Sequence, residues 1–218
     1  MWIKICANTN LKDAALAAEL GADALGFVFA ASPRRVTAAQ VAAITSQLPA
    51  GVEKIGVFDA PDGNAIVRTV REAGLTGIQI HSEFSSDLIS GLREEFPDHR
   101  IIQTAHWTYQ GQSVTAFEER LQALKTAPID AVLVDTRTAT ASGGTGTAFD
   151  WDVAREALQA LAPMRLIVAG GLHAGNVATA IAVLAPWGVD VASGVEARPG
   201  LKDPEKLSAF LSGARART

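Results

Sequence analysis

Short runs of β-branched and aliphatic residues recur along the chain. Each is followed by a stretch in which apolar positions return every three or four residues. The first kind has the composition of a buried strand, the second the period of an amphipathic helix. The pattern predicts strands over Trp2–Ala7, Ala24–Phe29, Lys54–Phe58, Gly77–His81, Arg100–Ala105, Ala131–Asp135, Arg165–Ala169 and Val189–Ser193. It predicts helices over Leu11–Leu20, Ala38–Gln47, Gly63–Ala73, Ser86–Glu95, Val114–Lys125, Trp151–Leu161, Asn176–Ala185 and Pro204–Ala214. Thr37 and Asp203 read as helix starts, and Gly21, Gly74 and Pro97 as stops. Eight strand–helix pairs without a linker predict one α/β domain over residues 1–218, a closed (β/α)8 barrel of the TIM type. The alternative is a doubly wound open sheet, which carries its glycine fingerprint after the first strand. Here the first strand runs out in Cys6, Ala7 and Asn8, with no glycine run.

Glycine turns come instead at the far end of the chain. Strand 7 runs into Gly170, Gly171 and Leu172, and strand 8 into Ser193 and Gly194. Such junctions leave backbone N–H groups pointing outward, and nests of that kind bind phosphate. Two on successive final strands match the phosphate site of a barrel, built from the loops after strands 7 and 8. The expected partner is a small phosphorylated substrate.

Composition narrows this further. Hydrophobic residues make up 48% and charged residues 19%, which excludes a disordered chain. The net charge of −4 and the lack of a basic block argue against nucleic acid. An anionic substrate must then be held by local dipoles and a few placed cations. A single cysteine excludes an internal disulfide and fits a reducing compartment. No leader pattern and no membrane-spanning apolar run are evident, so a cytoplasmic location is expected. Monomer and homodimer are both compatible with the sequence.

In a barrel, function gathers at the C-terminal ends of the strands. Alternation puts Lys4 and Cys6 inward, with Ile3 and Ile5 outward. A thiol near a cation can have its pKa lowered and act as a base; the alternative is a small buried hydrophobe. Asp135 closes an apolar run, where a carboxylate is costly unless solvated, paired or catalytic. Arg34, in the turn after strand 2, could clamp a carboxylate. His81 ends strand 4 and points inward with Gln79. Asp190 lies inside strand 8, and strands 1 and 8 meet when the ring closes, so Lys4 is its expected partner. Residues Thr138–Phe149 form a long loop that could act as a lid. Trp107 could face the mouth, and Trp151 could cap a helix start. His99, His106 and His173 show no metal-ligand spacing, and no metal site is expected.

Taken in order, these segments resemble the phosphoribosylanthranilate isomerase family of tryptophan biosynthesis over essentially the whole chain. The motifs are Lys4–Cys6, Gly26–Phe29 with Ser32–Arg34, Gly56–Phe58, Gln79–His81, and Val134–Asp135. They continue with Gly143–Gly146 and Phe149–Trp151, Ala169–Leu172 with Asn176–Val177, Ser193–Glu196, and Pro199–Asp203. The resemblance implies a cofactor-free Amadori rearrangement of an N-linked phosphoribosyl anthranilate to a 1-deoxyribulose phosphate. It implies Asp135 as general acid, Cys6 as general base and Arg34 on the anthranilate carboxylate. Gly170, Gly171, Leu172, Ser193 and Gly194 would hold phosphate, with His81 and Asp190 lining the mouth. Ala7 and Ser82 stand where the family usually has glycine. The sister isomerase of histidine synthesis uses an aspartate in place of Cys6. A barrel that binds a phosphorylated metabolite without turnover is the non-enzymatic alternative.

Overall fold

The computed structural model describes residues 1–59, 62–106, 121–135, 155 and 163–216. Within them run eight strands: β1 Trp2–Ile5, β2 Ala24–Val28, β3 Glu53–Phe58, β4 Gly77–Ile80, β5 Arg100–His106, β6 Ala131–Asp135, β7 Arg165–Ala169 and β8 Gly188–Val191. They pair in chain order as a closed barrel, and β1 pairs in parallel with β8. The helices are α1 Leu11–Glu19, α2 Ala38–Thr45, α3 Gly63–Ala73, α4 Ser86–Glu95, α5 Val177–Leu184 and α6 Pro204–Arg215.

Alternation along the strands separates two apolar clusters. One holds Ile3, Ile5, Leu25, Phe27, Ile78 and Ile80 together with the buried faces of the helices. The other holds Trp2, Ala24, Ile55, Ile102, Leu133 and Ile167, and fills the barrel. The strand starts make its floor. Trp2 stacks on Trp187 with ring centroids 5.1 Å apart, and the Arg100 guanidinium lies over both rings. Glu53 accepts from Arg100 and from the Trp2 indole, so the floor's polar edges are satisfied.

Helix ends follow the expected signals. Thr37 and Gln40 form a reciprocal capping box at α2, and the Asp203 carboxylate accepts from two amides at the start of α6. Gly74 ends α3 in the left-handed region. In the last turn of α6, Arg215 donates to the Met1 and Gly21 carbonyls and to Asp23, tying the end of the ring to its beginning.

Most strand ends fall within one residue of the expectation, but two stop two residues early. β1 stops at Ile5 and β8 at Val191, and Ser193 lies in a 3-10 turn over Ser193–Val195. The cause at β1 is visible in the backbone, because Ala7 takes φ +63° and turns the chain out of the sheet. After the 3-10 turn comes an unexpected antiparallel hairpin, β9 Glu196–Arg198 and β10 Leu201–Lys202. Helix Trp151–Leu161, most of Val114–Lys125, the loop Thr138–Phe149, the motifs Gly143–Gly146 and Phe149–Trp151, and the placements of Trp107 and Trp151 fall outside the described residues.

The seam between β1 and β8 carries the expected charge pair. Lys4 and Asp190 are register partners, and Lys4 Nζ donates to Asp190 Oδ1 at 2.9 Å with Lys4 fully buried. Removing one member of such a pair leaves the other charge stranded. Asp190→Ala is therefore expected to cost about 3 kcal/mol or more, read from the midpoint of denaturant unfolding; a wild-type midpoint would refute this.

Ala7 yields a second expectation. The left-handed region costs an L-residue roughly 1–2 kcal/mol, while glycine's freedom in the unfolded chain gives back about 0.4–1 kcal/mol of that. Ala7→Gly should raise stability by up to about 1 kcal/mol, although alanine-to-glycine changes ordinarily lower it. A drop in the thermal midpoint would contradict the strain assigned here.

Candidate active site

A cavity of about 310 Å³ opens at the C-terminal ends of the strands. Every residue singled out from the sequence as a site residue lines it: Cys6, Arg34, His81, Asp135, Asp190 and the two glycine turns. They are ordered around the ring. Asp135 ends β6, Gly170–Leu172 follow β7, Ser193 and Gly194 follow β8, Cys6 follows β1, and Arg34 follows β2. These groups come from five consecutive units of the barrel, and His81 joins the lining from the end of β4. Asp135 and Cys6 stand three strands apart on this side, with both glycine turns between them.

Cys6 emerges just past β1, anchored by its amide to the Val191 carbonyl at 2.8 Å. Gly26 on β2 makes room for it, since a methyl there would lie 2.7 Å from Cys6 Sγ and 3.0 Å from Lys4 Cε. Asn8, buried, donates to the Ile5 and Gly26 carbonyls and braces the turn around Ala7. Burial pushes the Cys6 thiol above its ordinary value. Lys4 and Lys202 pull it down and Asp190 pushes it up, and burial decides the sign. The sequence led us to expect a lowered thiol pKa from Lys4, and that cation does act in this direction. It is outweighed because the thiol is buried and because Asp190 offsets the same lysine. For Lys4 itself, burial works against the charge, but Asp190 and Cys6 prevail and hold its pKa above the usual lysine value.

The two glycine turns interlock. Gly170 and Gly171 take φ of 90° and 66°. The Asn176 side chain accepts from the His173 amide at 2.8 Å and donates to the Gly171 carbonyl at 3.0 Å, bracing the turn from within. A Cβ on Gly194 would collide with the Leu172 carbonyl, so the second turn can lie against the first only as glycine. Together they form one surface of backbone at the rim.

Arg34 stands at the opposite edge of this wall. Its Nε bonds both oxygens of Glu196 at 2.9 and 3.0 Å, and Nη2 bonds Oε2 at 2.6 Å. Burial works against the Glu196 carboxylate. Arg34, Lys202 and the Gly200 amide outweigh it and keep the pKa below the usual glutamate value. Glu196 was not singled out as a site residue from the sequence, because its partner lies 162 positions away. Lys202 was missed for the same reason.

His81 and His106, from neighbouring strands, meet edge to face with ring centroids 4.5 Å apart. His106 Nε2 lies 2.8 Å from the His81 carbonyl, which can only accept, so that nitrogen carries the proton. His81, His106 and Asp135 bring one ligand atom each within 4.8 Å of one another. Spacing along the chain compared His106 with the wrong histidines, because this group is assembled from β4, β5 and β6 side by side. Each of the three makes further contacts of its own.

Known proteins place this architecture. The family model for N-(5′-phosphoribosyl)anthranilate (PRA) isomerase matches residues 3–213. The N-(5′-phosphoribosyl)anthranilate isomerase of Pelobacter propionicus is 41% identical over 214 residues, covering 98% of this chain and 95% of the relative. A phosphoribosyl anthranilate isomerase crystallised with reduced 1-(o-carboxyphenylamino)-1-deoxyribulose 5-phosphate superposes with a TM-score of 0.82 at 31% identity, covering 99% of both chains. The isomerase of Thermotoga maritima gives a TM-score of 0.84 at 32% identity, again over 99% of each chain. The chain belongs to the N-(5′-phosphoribosyl)anthranilate isomerase family.

Proposed function

We propose that this chain converts N-(5′-phosphoribosyl)anthranilate to 1-(o-carboxyphenylamino)-1-deoxyribulose 5-phosphate by acid–base catalysis, in tryptophan biosynthesis. The observation that carries the residue roles is the order of groups around the cavity wall. Acid, phosphate turns, base and carboxylate clamp follow one another from β6 round to β2. The ligand of the 0.82 TM-score relative carries a phosphate at one end and a carboxylate at the other, as the phosphate turns and Arg34 would require.

In this reading the phosphate sits on the backbone amides of Gly170–Leu172 and Ser193–Gly194, and the anthranilate carboxylate meets Arg34. Glu196 already fixes the plane of that guanidinium, so little rotamer freedom is lost on binding. The ribose then lies between Asp135 and Cys6. Asp135 gives its proton to the ring oxygen as the C1′–O bond breaks, and the ring opens to a Schiff base. The Cys6 thiolate takes the proton from C2′, and the electron pair of that C–H bond forms the enolamine. Protonation at C1′ and loss of the O2′ proton give the ketone. The anion is held by local amides and one guanidinium, which reconciles an acidic chain with an anionic substrate.

Asp190, on β8 between the strands of Asp135 and Cys6, and His81, after β4, also line the cavity. Asp190 keeps Lys4 charged beneath Cys6, and that cation favours the thiolate when the proton leaves. Among the described residues no helix is long and apolar enough to cross a membrane.

The test is turnover of N-(5′-phosphoribosyl)anthranilate formed in place from anthranilate and phosphoribosyl pyrophosphate, followed by fluorescence. Cys6→Ala and Asp135→Ala should each lower kcat by about a hundred- to ten-thousandfold, with the circular dichroism spectrum unchanged. Wild-type kcat in either variant removes that residue from the mechanism. The pH profile adds a signed expectation. Burial holds the Cys6 thiol above its ordinary value of 9.0, and only the thiolate can accept the C2′ proton. kcat/KM should therefore climb with pH through neutrality toward 9. A profile already flat at pH 7 would mean that another group is the base.

A further inference from the structure

One buried cation behind the residues that line the site has no part in the chemistry just described. Lys202, on β10, has a side chain 1% exposed, within a hairpin that the barrel alone does not require. A lysine ammonium has three N–H donors and no acceptor. At Lys202 three acceptors surround it: the Cys6 carbonyl, the Ala192 carbonyl at 3.3 Å, and Glu196 Oε1 at 3.5 Å.

Each acceptor belongs to a different part of the site. The Cys6 carbonyl is in the peptide that leads into Ala7, whose left-handed backbone turns the base away from the sheet. The Ala192 carbonyl immediately precedes the 3-10 turn that carries Ser193 and Gly194. Glu196 holds Arg34 through three hydrogen bonds. The hairpin is itself pinned to the segment after β1. Thr9 donates to the Gly200 carbonyl, and the Lys202 amide donates to the buried Asp13 carboxylate at 2.7 Å. Burial lowers the Lys202 pKa, with Glu196 and Cys6 opposing it, so the charge is kept by these partners rather than by water.

We propose that Lys202 is a positioning residue for the isomerisation. By bridging the Cys6 and Ala192 carbonyls and steadying Glu196, it holds the base, the second phosphate turn and the carboxylate clamp in one fixed relation. It touches none of the reacting atoms. The proposal rests on the roles given above to Cys6, Arg34 and the Ser193–Gly194 turn. It explains why a chain whose barrel closes at β8 continues into a short hairpin pinned against the segment after β1.

The test uses Lys202→Met, which keeps the aliphatic stem and removes the ammonium. The first readout needs no turnover. Cys6 is the sole cysteine, so its thiolate can be titrated by absorbance at 240 nm against a Cys6→Ser reference. The charged groups acting on it are Lys4, Asp190 and Lys202. Loss of the Lys202 cation should move the titration to higher pH. A residue that only filled space would do the reverse on removal, because a loosened wall admits water and relieves the burial that holds the thiol up. The second readout is kinetic. Displacing base and clamp together should lower kcat by up to about a hundredfold and raise KM in the same variant. A folded Lys202→Met protein with its thiol titration unmoved or lowered, or with both constants within about twofold of wild type, overturns the proposal. If Lys202→Met does not fold, Lys202→Gln, neutral but still a donor, is read by the same criteria. Absence of turnover in the wild-type protein would overturn the isomerase reading instead, and the thiol titration would still decide whether Lys202 acts on Cys6.

Discussion

The site hangs from the buried contact between Lys4 and Asp190. It joins the first strand to the last, at the one place where the ring has to be closed by residues 186 positions apart. Two opposite charges in a barrel interior are expensive, and their attraction repays the cost only with good geometry. Here the bond is short, Lys4 is wholly buried, and the register of β1 on β8 puts the two residues side by side. A slip by one residue would turn every side chain of the strand to the other face and would strand both charges. The pair therefore fixes the register of the seam, and through it the height of Cys6 above the apolar floor formed by Trp2, Ile55, Ile102, Leu133 and Ile167.

Above that floor runs a line of charges of opposite sign: Lys4 is paired with Asp190, and Glu196 with both Lys202 and Arg34. Arg34, with its side chain 23% exposed, reaches the water. Cys6 sits beside the inner members of the line. Its protonation is set by the balance between burial and these neighbours, and removing one of them shifts it. In a protein of net charge −4 this arrangement gives the mouth a local preference for anions that the overall charge opposes.

The eight strands were legible because each is a short apolar run with a two-residue alternation, and the seam pair because strands 1 and 8 must meet in a closed ring. Thr37 and Asp203 announced their helices through capping chemistry that is local in sequence. Ala7 stood out as a departure from a usual glycine, and the structure gives it the positive φ that such a glycine implies. What could not be read was assembled over long separations. The three-residue and two-residue strands of the hairpin are too short to show a period. The contact between Lys202 and Cys6 spans 196 positions, and that between Arg34 and Glu196 spans 162. His81, His106 and Asp135 come together only because β4, β5 and β6 are adjacent. The direction of the Cys6 pKa depends on how deeply the thiol is buried, and no pattern of residue types carries that information.

The closure of the ring also orders events in time. A ribosome delivers β1 first and β8 near the end, so for most of synthesis Lys4 has no Asp190 to meet. A nascent chain that has not yet released Gly188 holds two open strand edges, on β1 and on β7, of the kind that invites pairing with other chains. Ser193 and Gly194, which complete the mouth, and the buried Glu196 and Lys202 behind it emerge later still. The growing polypeptide thus completes its anion-binding wall only after the strand that removes its exposed edges has been made.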